Sequence, residues 1–137
     1  MNKLFIALFA LSVSTFSAHA SVPEVDLLPE VQKSGDVQFI TGGVGDEERK
    51  AMESIRKNYN LRVMSSEIGG AYVADSKYVI KDSKGAVIVD AMAGPMFFAN
   101  LPAGSYVLDA TNEGRSKSQK FAVGASKPAS FHFTWKP

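Results

Sequence analysis

The chain has 137 residues, with 15 Lys and Arg against 14 Asp and Glu and not one Cys. Balanced charge leaves no basic excess for nucleic acid or an anionic membrane surface. Without thiols there are no disulfide staples, no cysteine-linked lipid anchor and no thiolate chemistry, so stability has to come from packing.

Residues 1–20 open with Lys3, run apolar from Leu4 to Val13 and exit through Ala18-His19-Ala20. That is the pattern of a secretory signal peptide, and the run is about half the length a membrane-spanning helix needs. The expected location is therefore periplasmic or secreted, with no membrane span. Residues 21–36 carry Pro23, Pro29 and scattered acids without a period, and read as an extended N-terminal arm. The rest, 37–137, has the length of one domain.

Val37 to Thr41 is strand-like and leads into Gly42-Gly43-Val44-Gly45. Asp46 then serves as N-cap of a helix over 46–59, with Glu47 and Glu48 where the helix dipole favours negative charge. Ala51, Met52, Ile55 and Tyr59 form one apolar stripe, opposite Arg49, Glu53, Arg56 and Lys57, so the helix should lie on something.

Beyond the helix the apolar period becomes two, and turn residues recur at Gly69-Gly70, Asp82-Ser83-Lys84-Gly85, Ala93-Gly94-Pro95, Pro102-Ala103-Gly104, Asn112-Glu113-Gly114 and Gly124-Ala125-Ser126. Strands are expected over 61–66, 71–81, 86–92, 96–100, 105–112, 116–123 and 130–135, about seven in all, the signature of a mainly β sandwich. Pro102 and a left-handed Gly104 would close a tight turn between the strands either side of it. Tyr78, Ile80, Tyr106, Leu108, Phe121, Val123, Phe131, Phe133 and Trp135 are the expected inward faces.

Candidate chemistry is sparse. The glycine run lacks the spacing and the Lys-Ser/Thr of a phosphate loop, and Glu47 and Glu48 would repel a phosphate. Outside the leader the single His132 alternates with Phe131 and Phe133, which points it to solvent rather than to general-base duty. One imidazole cannot complete a zinc site, and Asp75, Asp82 and Asp90 lack the spacing of a calcium loop. Met52, Met64, Met92 and Met96 would suit copper, but their scatter along the chain and from His132 favours core packing. Lys77, Lys81 and Asn100 fall at positions expected to be exposed, against a buried isopeptide bond. No cofactor, no metal and no catalytic residue is therefore expected.

From Tyr72 to Trp135 the chain resembles the carboxypeptidase regulatory-like, or transthyretin-like, β-sandwich domain. The likeness rests on two strands joined through Asp82-Ser83-Lys84-Gly85, then Phe97-Phe98-Ala99-Asn100-Leu101-Pro102-Ala103-Gly104-Ser105-Tyr106 and alternating residues. From Gln38 onward it is similar to small exported proteobacterial proteins that pair the Gly42–Glu48 helix start with a Gly94-Pro95 hairpin, although Met96 stands where an aromatic is expected. The resemblance implies an antiparallel transthyretin-like sandwich with one N-terminal helix packed on it. Transthyretin-like hydrolases use several His with Arg and a C-terminal Tyr-Arg-Gly-Ser, whereas this chain ends Phe133-Thr134-Trp135-Lys136-Pro137.

The expected function is that of an exported, non-catalytic module that binds a protein or carbohydrate through end loops or an edge strand. Its first candidate patch is Tyr72, Met96, Phe97 and Phe98, if those side chains face outward. The alternative is a small enzyme or enzyme inhibitor acting through the Gly42–Asp46 loop.

Overall fold

The computed structural model describes residues 27–137; the leader and the first residues of the arm, 21–26, lie outside that range. Among the described residues the strands are β1 (Gln32–Ser34), β2 (Val37–Gly42), β3 (Leu61–Glu67), β4 (Ser76–Asp82), β5 (Val87–Ala93), β6 (Met96–Asn100), β7 (Gly104–Asn112), β8 (Arg115–Val123) and β9 (Ala129–Trp135). One helix, α1 (Asp46–Ile55), precedes a short 3-10 turn, Arg56–Asn58. Five strands form one sheet in the order β1-β2-β6-β3-β9 and four form another, β5-β4-β7-β8. The molecule is mainly β and sandwich-like, the two sheets facing each other across a shared apolar core.

Several expectations are corrected. Nine strands replace about seven, because the strand-like 37–41 stretch is a full sheet member, β2, and the arm supplies β1, turned back onto it through Gly35 at φ 57°. The segment 71–75 is a separate loop rather than the start of β4. Gly45, not Asp46, is the N-cap, and α1 ends at Ile55, short of residue 59. The sheets are not wholly antiparallel, since β9 runs parallel to β3.

The largest correction concerns the turn at Pro102. β6 and β7 do not pair: β6 is flanked by β2 and β3 in one sheet, β7 by β4 and β8 in the other. Pro102 and Ala103 therefore carry the chain between layers, and Gly104 opens β7 outside the left-handed region. Tyr106 braces the crossing by donating its hydroxyl to the Pro102 carbonyl. β7 makes its hairpin with β8 instead, at Glu113-Gly114, where φ values of 49° and 76° give the two left-handed residues such a turn requires.

Side chains of β6 explain its unbroken apolar reading. Phe97 and Ala99 face the opposite sheet, while Met96 and Phe98 face α1 and pack with Ile40 and Met52. A strand covered on both sides needs no polar face. Phe97 stacks on Phe39 at 5.5 Å and meets the edge of Tyr78 at 5.4 Å. The predicted inward residues Tyr78, Ile80, Tyr106, Leu108, Val123, Phe133 and Trp135 are buried, with Phe121 and Phe131 half-buried beside them.

Trp135 donates its indole N–H to the inward-facing Ser65 hydroxyl at 2.9 Å. Outside it, Arg115 and Lys117 of β8 lie over the indole ring and donate to the carbonyl oxygens of Lys136 and Thr134. On the opposite flank Ser34 donates to the Ile88 carbonyl at 2.6 Å, tying β1 to β5.

Replacing Phe97 by Ala should cost about 3–5 kcal/mol in denaturant unfolding, because its ring fills the centre of the shared core. Tyr78 offers a pH test. Burial pushes its phenol up to about 12, outweighing the smaller lowering by the nearby Ser65 hydroxyl, whose oxygen is taken by Trp135; among the described residues the Tyr78 hydroxyl itself makes no hydrogen bond of good geometry. With the folded value above the unfolded one near 10, the folded state holds its proton longer. Stability is then complete below pH 10 and falls as pH rises towards 12, by about 1.4 kcal/mol per unit. Tyr78→Phe should equal or exceed wild type at neutral pH, since it removes an unpaired hydroxyl, and should lose less stability above pH 10.

Candidate functional site

The outer face of the five-stranded sheet carries the most developed surface feature. α1 lies over β2 and β6, and β6 begins only at Met96, opposite Met64, so the part of β3 beyond Met64 is left without that neighbour. A turn at Ile68-Gly69-Gly70 supplies a replacement. Both glycines are left-handed, at φ 113° and 103°, and the returning chain bonds Glu67 N–H to Ala71 O at 2.7 Å and Val73 N–H to Ser65 O at 3.1 Å. Tyr72 thereby sits opposite Ser66 on the outer face, while Val73 turns into the core.

An open groove of about 520 Å³ separates Tyr72 from the helix. Met64 and Met96 line it together with Asp46, Arg49, Lys50 and Glu53. The Tyr72 ring is 47% exposed, and the Arg49 guanidinium lies 4.3 Å from its centroid. Arg49 is held from behind, donating to Gly43 O at 2.9 Å and Val44 O at 2.8 Å and pairing with Asp46. Its charge is thus spent on the protein itself.

The glycine run has a structural part in this arrangement. The buried Gly43 N–H donates to the Glu48 carboxylate at 2.6 Å, and Gly43 at φ 91° leaves room for the Met96 sulfur, which would lie 2.9 Å from an added Cβ. The groups around Gly43 that a ligand would contact are engaged internally.

Of the four residues proposed from sequence as a contact patch, only Tyr72 is exposed. Met96, Phe97 and Phe98 are buried, because β6 is central and has α1 on one side and the other sheet on the other. Their apolar run had the same appearance in sequence as an outward patch. In the sequence Arg49, which fixes Tyr72, is one of several charges on the polar side of the helix.

His132 is exposed on β9 and shares a 2.6 Å hydrogen bond with the Ser66 hydroxyl through Nε2. The methionines overturn the expectation that they are scattered. Met52, Met64 and Met96 belong to one cluster beneath the helix, Met64 stands opposite Met96, and on its other side Met64 is level with His132. Among the described residues no three His, Asp or Glu side chains gather as a metal site. Asp82 instead accepts the N–H groups of Lys84 and Ala86 in a hairpin turn, and Asp90 faces Lys77 at 3.6 Å. Lys81 pairs with Asp109, whose carboxyl is held low first by the Ser118 hydroxyl and then by Lys81. The Asn100 amide instead accepts the Asn60 N–H and donates to the Asn58 carbonyl, in the short connection between the helix and β3.

No protein-family model and no curated protein matches the sequence.

Glu48→Ala should destabilise the fold by about 1–3 kcal/mol, because it strands the buried Gly43 N–H. Glu47→Ala removes only a first-turn charge and should cost about 0.3–1 kcal/mol. Paired urea titrations of the two variants separate the effects.

Proposed function

We propose that this chain is an exported, non-catalytic binding module of the carboxypeptidase regulatory-like (transthyretin-like) kind, working in the periplasm or outside the cell on a protein or carbohydrate partner. The observation that carries this reading is Tyr72: a half-exposed aromatic ring, pinned by a fully engaged arginine, at the rim of a groove with a thioether floor. Rigid aromatic side chains beside adaptable methionines are favourable contact groups, because little rotamer freedom is lost when a partner covers them.

Two further features support binding over catalysis. His132 is exposed, lies outside the residues lining the groove and, among the described residues, has a serine hydroxyl as its one hydrogen-bond partner. The Gly42–Asp46 loop, the seat of the alternative enzyme or inhibitor reading, has the Gly43 N–H occupied by Glu48 and the Gly43 and Val44 carbonyls by Arg49. Export rests on the residue 1–20 pattern, and the transthyretin-like assignment on the Asp82–Gly85 and Leu101–Tyr106 motifs. No helix among the described residues is long and apolar enough to cross a membrane.

The test is selection of ligands from a glycan array and a displayed-peptide library, followed by titration with Tyr72→Ser. The variant should keep the wild-type melting temperature and lose binding by about 2 kcal/mol, as hot-spot truncations do. Unchanged affinity for every selected ligand would remove the groove from consideration.

A further inference from the structure

We propose that Met64, Met96 and His132 form a binding site for a soft monovalent metal ion, Cu(I). The three residues occupy adjacent strands β6, β3 and β9 in one row: Met96 opposite Met64, and Met64 level with His132. They share the outer face, since Met64 packs in the same cluster as Met96, and His132 bonds Ser66, two residues along β3 from Met64. Neighbouring side chains in such a row start about 4.5–5.5 Å apart at Cβ, within reach of one ion for side chains of this length.

The donor set selects the ion. Thioethers are neutral and soft, and with an imidazole they favour Cu(I) over calcium, magnesium or zinc, which look for carboxylates, thiolates or several histidines. With Nε2–H of His132 donating to the Ser66 hydroxyl oxygen, Nδ1 is the unprotonated nitrogen and the metal donor, the arrangement usual for ligating histidines. Met64 is half-buried beside the groove, so the ion has a path in. The Met96 sulfur rests against Gly43, and ligation turns it towards Met64, a change of side-chain torsion that unbranched methionine makes readily. Arg49, which lines the same groove, is offset by Asp46 and two carbonyls. This site does not depend on a macromolecular partner at Tyr72.

The experiment is anaerobic competition for Cu(I) between untagged protein and bathocuproine disulfonate, with methyl-labelled methionine NMR during titration by Ag(I) as the second readout. One equivalent of Cu(I) should bind, and Met92→Leu, at an exposed methionine on the other sheet, should leave the affinity unchanged. Ser66→Ala should weaken binding about tenfold or more, and Met64→Leu and His132→Asn at least as much. Ag(I) should move the Met64 and Met96 methyl signals and leave Met92 in place. Failure to take up Cu(I), full affinity in the Met64→Leu/His132→Asn double variant, or a shift confined to Met92 would each overturn the site. The silver titration uses wild-type protein, so it decides the question even where a variant folds poorly.

Discussion

The structure depends on β6 being buried from both sides. Five residues, Met96 to Asn100, put Phe97 and Ala99 into the space between the sheets and Met96 and Phe98 under α1. Two apolar cores therefore share one strand. A change in the register of β6 by one residue would exchange its two faces, placing Phe97 and Ala99 against the helix and emptying the inter-sheet core. The helix, whose own packing surface is narrow, is held in place by the same side chains that fix the sheet order.

Much of this was legible from the order of residues. Alternation located Tyr78, Ile80, Tyr106, Leu108, Phe133 and Trp135 in the core, because a period of two has only one inward set. Recurring turn residues placed most strand ends, and Asp82-Ser83-Lys84-Gly85 forms the turn its chemistry suggests. What could not be read was partnership between distant segments. Phe97-Phe98 followed by Pro102 and Gly104 looks the same whether the next strand returns beside β6 or crosses to the other layer. That choice is made by which edges of β6 are already occupied, and β2 and β3 occupy both.

The candidate sites show the same limit in sharper form. Tyr72 was recognisable as a free aromatic next to glycines, whereas its anchor Arg49 lies 23 positions earlier on a helix and meets the ring only after folding. The row of Met96, Met64 and His132 comes from three strands, one of them joined in parallel through a connection that spans most of the domain. Spacing along the chain carries no trace of it. The buried placement of Met96, Phe97 and Phe98 was equally hidden, since an apolar run has the same composition facing out as facing in.

The last strand, β9, is the margin of its sheet, and margins of this kind invite further strands to attach. Here Lys117 and Arg115 reach across from the other layer and take up carbonyl oxygens at Thr134 and Lys136, laying positive charge over Trp135 as they do so. A neighbouring molecule approaching in extended form would have to displace both cations from those carbonyls and from the indole face. The two layers are thus laced together along one open margin of the sandwich, and the lacing itself acts as a guard against self-association there.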